Sequence, residues 1–236
     1  METAGDGGLN TLIDESNQLH GELCSVLEDC HHDGTPRCSV GTIFLELAQQ
    51  HALAFRCLIS KGLTHSAIPL LRLQFEATVK GFWVHCAATD EWIGKAATVV
   101  LKDNRPVEPP PHTIHEMLTA LQQNAHPFIG VQLREFEASN LKPLNSFIHS
   151  GISALSTLHR GLPASCLCQI VRISNGLASL GATLLAEMSN SVDAKHALFA
   201  VQTAHLECLP KIRGAGTIDV LTEAAIQRQQ EAGGHA

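Results

Sequence analysis

Tyrosine is absent from this 236-residue chain, and all aromatic residues together make up only 4% of it. Aromatic and β-branched residues fill strands, so an all-β fold is disfavoured. The same scarcity argues against the aromatic platforms on which single-stranded nucleic acid stacks. Cations are also in deficit: 16 Lys and Arg stand against 23 Asp and Glu, a net charge of −7. Phosphate backbones are bound by basic surfaces, so general affinity for nucleic acid is not expected. No apolar run reaches the roughly 20 residues that a membrane span needs. Arg72, Glu76 and Arg172 interrupt the longest ones. The opening METAGDGGLN lacks the apolar core of a secretory leader. The eight cysteines fall mostly at apolar positions of helical segments. They are therefore read as reduced thiols of a cytoplasmic protein. Walker loop, dinucleotide glycine fingerprint, H-E-x-x-H and nucleophile elbow are all missing.

What is present is helical spacing of apolar residues almost everywhere. Helices are predicted from about Leu9 to Cys30, Val40 to Ser60, His65 to Ala88 and Thr89 to Lys102. Gly34 and Pro36 break the first from the second, and Gly62 ends the second. Thr89 suits an N-cap, with Asp90 and Glu91 complementing the dipole in the first turn. The proline-rich stretch from Arg105 to His112 must be a loop. A short helix follows from Thr113 to Gln123, then a loop over 124–130 and a helical turn around Leu133 to Glu137. Pro143 fits the first turn of the next helix, which carries LNSFIHSGISALSTLHR. The last two run from Pro163 to about Asn190 and from Asp193 to Leu209. The reading is an all-α fold, an antiparallel multi-helix bundle of about seven to nine helices. Residues 1–210 form one domain on this reading, and 211–236 a tail with at most a short helix. Gly81, Gly151, Gly176 and Gly181 lie inside helical patterns, where each costs about 1 kcal/mol against Ala. They are expected to mark close helix crossings.

One helix carries charge among apolar residues. HSAIPLLRLQFEATVKGFWVHCAA is apolar nearly all round, yet Arg72, Glu76 and Lys80 fall at i, i+4 and i+8, with Trp83 at i+11 on the same side. Buried ion pairs are costly unless well hydrogen-bonded, so the stripe is either a clasp or the wall of a site. Two other helices carry similar interruptions: Asn145 and His149 one turn apart, and Arg172 with Asn175. Buried polar groups need partners, so the six are expected to share one inter-helix pocket. Imidazole is the side chain that titrates near neutrality, which makes His149 the candidate general acid or base. Arg72 or Arg172 offers a two-pronged grip on phosphate or carboxylate. Glu76 would orient Arg72 or His149. Asn145, Asn175, Arg172 and Trp83 complete the candidate binding set around the catalytic candidates His149, Arg72 and Glu76.

Metal binding is not expected. Cys24, Cys30, His31, His32 and Cys38 cluster near the end of the first helix, but their spacing fits no common zinc ribbon or finger. Cys166 and Cys168 point apart on a helix. No cofactor is expected either.

The pattern IPLLRLQFEATVKGFWVHCAATDEW, followed by LNSFIHSG, resembles a family of uncharacterised bacterial all-helical proteins placed near the HEPN-like helical bundles. The resemblance covers roughly residues 40–190. In that family one helix carries Arg-x3-Glu and a later one a His followed by small residues. Arg72, Glu76 and His149 match those positions, while Trp83 and Asp90 match less closely. The resemblance implies a HEPN-like bundle. Some HEPN proteins are metal-independent endoribonucleases of toxin and phage-defence systems, marked by Arg, four to six residues, then His. This chain departs from that motif: Lys142 stands where the arginine before His149 would be, and only Arg105 to His112 has the spacing. The expectation is a binding or regulatory module that forms a homodimer through an exposed helix face or meets a protein partner. The alternative is the ribonuclease, with RNA as its substrate.

Overall fold

The computed structural model describes residues 4–102 and 109–211 of the chain. Among them are nine α-helices and no strand: α1 (Ala4–Leu27), α2 (Pro36–Ser60), α3 (Thr64–Cys86), α4 (Asp90–Lys102), α5 (Ile114–Asn124), α6 (Pro127–Ile148), α7 (Ile152–Arg160), α8 (Ala164–Met188) and α9 (Val192–Ala204). A 3-10 turn, Leu206–Cys208, follows α9. Half of the proline-rich loop and nearly all of the expected tail fall on 103–108 and 212–236, outside the described residues.

Local chemistry sets the helix ends. Thr35 accepts the Cys38 amide at 3.3 Å and Pro36 occupies the first turn of α2. Such a proline gives up an N–H that has no helical partner. At the other end Gly62 takes φ +72°. The Leu63 and Gly62 amides donate back to the carbonyls of Leu58 and Ile59 at 2.9 Å. This is a glycine-ended C-cap that satisfies otherwise orphaned carbonyls. Thr113 and Glu116 form a reciprocal capping box on α5.

The core is built around α3, which packs against α2, α5, α6 and α8. Ile68, Leu71, Phe75, Val79, Phe82 and Val84 on α3 are all buried. The least buried side of α3 carries Arg72, Leu73, Glu76 and Lys80. The α2–α3 seam is the most extensive among the described residues, and Gly81 permits it. A Cβ at position 81 would come within 2.6 Å of Leu45 Cδ2, and Leu45 is fully buried on α2. The helix-propensity cost of that glycine is offset by close approach.

Two expectations are corrected. The loop over 124–130 and the new helix at Pro143 do not occur. Instead α6 runs unbroken from Pro127, and Pro143 lies inside it. Leu133, Phe136, Asn140, Leu144 and Phe147 form one buried stripe at helical spacing across the proline. Burial along that stripe outweighs the roughly 3 kcal/mol penalty of an interior proline. Conversely, LNSFIHSGISALSTLHR is not one helix. Ser150 adopts φ +52° and Gly151 is extended, which ends α6 and starts α7. Gly151 is therefore a helix boundary rather than a crossing point. A Cβ there would meet Ser146 Oγ at 2.6 Å.

Candidate functional site

Side chains from α3 and α6 make the polar cluster nearest to the expected one. Arg72 Nε donates to Glu76 Oε1 at 2.7 Å, across one turn of α3. Arg72 Nη1 donates to Asn145 Oδ1 on α6. The two ionic side chains are 24% and 23% exposed, so the pair sits at the rim of the seam rather than inside it. No described residue accepts from Nη2, which leaves that edge of the guanidinium available to solvent. Phe75 and Phe136 stack beneath, with ring centroids 4.2 Å apart, and hold α3 against α6. His149 is the C-cap of α6, and its backbone amide donates to Asn145 O at 3.0 Å. Its ring is exposed, one turn beyond Asn145, and no described residue bonds it.

Arg172 and Asn175 are engaged elsewhere. Arg172 Nε donates to the Glu207 carbonyl at 2.7 Å. Asn175 is buried, and its Nδ2 donates to Ser16 Oγ at 2.7 Å and to the Cys208 carbonyl at 2.9 Å. These contacts fasten α8 to α1 and to the 3-10 turn. Between the two places, Gln74 of α3 binds Ser174 of α8 twice: Gln74 Nε2 donates to Ser174 O at 2.8 Å, and Ser174 Oγ donates to Gln74 Oε1 at 2.7 Å. Both residues are buried, and each polar atom of the pair satisfies another.

The stripe on α3 also divides along its length. Eleven residues of helix rise about 16 Å, which carries Trp83 well away from Arg72. Trp83 is buried edge-on against Trp92 of α4 at 4.8 Å and beside His112 at 4.8 Å. Lys80 lies 5.8 Å from the centroid of the Phe44 ring on α2.

Three arginines escaped the sequence reading. Arg37 grips the C-terminus of α3: Nη1 donates to Val84 O at 2.5 Å, and Nη2 to Ala88 O at 2.9 Å and Asp90 Oδ1 at 2.8 Å. A cation there complements the helix dipole. Burial and the Arg37 charge hold the His85 imidazole below its usual range. Arg134 ties α6 to α5 through Thr119 at 2.8 Å and Gln122 at 3.2 Å, and pairs with Glu137 one turn along α6 at 2.7 Å. Arg56 is 1% exposed. Its signal was available in the sequence, because Ala52, Phe55, Arg56 and Ile59 fall on one face of α2 at core spacing.

Among the described residues, no group of three or more His, Cys, Asp or Glu side chains is placed to hold a metal ion. No described helix is long and apolar enough to cross a membrane.

No curated protein and no solved structure matches the chain. One protein family does, over residues 45–211, and it is described as a family of unknown function, DUF6988. That span takes in Arg72, Glu76, Asn145, His149, Arg172 and Asn175 together, from the middle of α2 to the end of the described chain. With well over half of its length matched, the chain belongs to the DUF6988 family.

Proposed function

We propose that this protein is a binding module whose ligand carries a carboxylate or phosphate and docks on Arg72. The observation that carries the reading is the fixed orientation of that guanidinium. Glu76 takes Nε and Asn145 takes Nη1, while Nη2 faces outward at a half-buried rim. An arginine held by its neighbours loses little rotamer freedom on binding an anion. A charge-assisted hydrogen bond contributes about 1.5–3 kcal/mol, roughly 10- to 100-fold in affinity. Arg72→Met is therefore expected to weaken binding at least about tenfold. Calorimetric titration with a panel of carboxylates and phosphomonoesters measures it. Absence of any saturable binding to the wild-type protein sinks the reading. The ribonuclease alternative draws on one observation, the exposed His149 one turn beyond Asn145 at the end of α6. Cleavage of labelled RNA that His149→Ala abolishes would favour it over a pure binding role.

The partner we propose is a second copy of the chain, meeting it on α7. Ile152, Leu155 and Leu158 are 84%, 68% and 67% exposed and lie three residues apart on one face. They cannot turn inward, because the other face is fastened. Thr157 meets His65 of α3 at 3.0 Å, and the Ser153 amide donates to Ser146 Oγ at 3.1 Å. An apolar stripe left outside is a common mark of an interface. Two copies related by a two-fold axis present the same stripe to each other. Sedimentation equilibrium is expected to report a dimer for the wild type and a monomer for the Leu155→Glu, Leu158→Glu double variant. A monomeric wild type overturns the pairing. A cytoplasmic setting suits the cysteines, of which Cys24, Cys30, Cys38, Cys57, Cys86, Cys168 and Cys208 are unbridged.

A further inference from the structure

Arg56 is a buried cation without a counter-ion. Its side chain leaves α2 toward α1, where Nε donates to Asn17 Oδ1 at 3.0 Å. Nη1 and Nη2 are both buried and neither meets a hydrogen-bond acceptor. No carboxylate among the described residues forms an ion pair with it. The half-buried arginines are answered: Arg72, Arg134 and Arg37 each reach a carboxylate, and Arg172 reaches the Glu207 carbonyl. Removing a guanidinium from water costs several kcal/mol unless its protons find acceptors. Four N–H bonds on one fork are thus left to be filled.

The surroundings of that fork fit an anion. Asn17, His20, Gly21 and Cys24 lie on one face of α1. His20 has a buried Nδ1 that also lacks a partner. Burial, and then the Arg56 charge, hold the His20 imidazole down at about 4, so it is neutral near pH 7 and free to donate one N–H. Burial lowers Arg56 itself only to about 10, so it keeps its charge there. Asn17, Gly21 and Cys24 are exposed, and a Cβ built on Gly21 meets nothing within 4 Å. Asn17, which accepts from Arg56 Nε, thus sits at the solvent-facing surface of α1.

We infer that the Arg56 fork, flanked by His20 and Asn17, binds a small anion between α1 and α2. The planar two-pronged fork suits a carboxylate-sized oxyanion better than a spherical halide. This site is independent of Arg72. It uses α1, which lies outside the matched family span.

The test is thermal unfolding in the Arg72→Met background, so that the surface arginine contributes nothing. Sodium formate and sodium chloride are compared with sodium gluconate, whose anion is much bulkier, at equal ionic strength. Formate at about 100 times its dissociation constant is expected to raise Tm by about 5 °C. Chloride is expected to raise it less, and gluconate not at all. Arg56→Met is expected to abolish the dependence while removing the buried charge. If that variant does not fold, the His20 ring decides the matter in the Arg56-containing protein. Followed by NMR, its pKa is expected to rise from about 4 toward the ordinary histidine range as formate fills the site. A negative charge beside the ring stabilises the imidazolium, which sets that sign. Equal Tm in all three salts with an unmoved His20 overturns the inference and leaves water as the occupant of the fork. Formate stabilisation that persists in Arg56→Met overturns it as well.

Discussion

Phe75→Ala is expected to lower the unfolding free energy by about 4 kcal/mol. Phe75 is fully buried at the centre of α3 and stacks on Phe136 of α6 at 4.2 Å and 21°. Truncation forfeits the transfer free energy of the ring, leaves a cavity and removes an aromatic pair worth about 1 kcal/mol. In a protein of this length the loss corresponds to a fall in Tm of about 10 °C. Urea denaturation with an unchanged m-value would place the effect on the folded state. The consequence reaches the candidate site, because the ring stack joins α3 to α6, the two helices that carry Arg72 and Asn145. Binding at Arg72 should therefore weaken too. A loss below about 1 kcal/mol would mean that the α3–α6 seam does not carry the packing argued above.

Asn175→Ala is the second large effect, at about 2–3 kcal/mol. Its Nδ2 is the joint between α8, α1 and the 3-10 turn, reaching Ser16 Oγ and the Cys208 carbonyl. Truncation leaves that carbonyl buried without this donor, which is the expensive way to lose a hydrogen bond. Ser16 keeps its own donation to Leu12 O at 2.5 Å, so the damage is partial on that side. The informative part is the pairing of two measurements. Stability falls, while the dissociation constant of an Arg72-bound carboxylate stays within about twofold, because the residues sit in different seams. A binding defect as large as that of Arg72→Met, in a variant that remains folded, would reunite the two polar groups in one site.

Those two variants separate what was legible in the chain from what was not. The apolar period of α3 is so nearly continuous that its central, enclosed position follows from the residues themselves. Thr89, Thr113, Pro36 and Gly62 announce their helix ends through capping chemistry that acts within a few residues. The misreadings of α6 and α7 arose where local and long-range terms conflict. Pro143 is a plausible helix start by local rules, yet the stripe from Leu133 to Phe147 continues straight through it. The HSG stretch looks helical by composition, yet Ser150 and Gly151 leave helical backbone there.

The polar residues mark the sharper limit. Arg72, Glu76, Asn145, Arg172 and Asn175 were all recognisable as interruptions of apolar faces, and each does find a partner. Which partner was not recoverable. Helical periodicity sets the angle of a side chain about its own axis, and that much the sequence alone determined: an all-helical chain, its buried faces and the residues that break them. It carries no information about which other helix lies opposite. Only the tertiary arrangement sent Asn145 to Arg72 but Asn175 to Ser16, and left the Arg56 fork unanswered, because those pairings depend on crossing positions set by packing across the whole core.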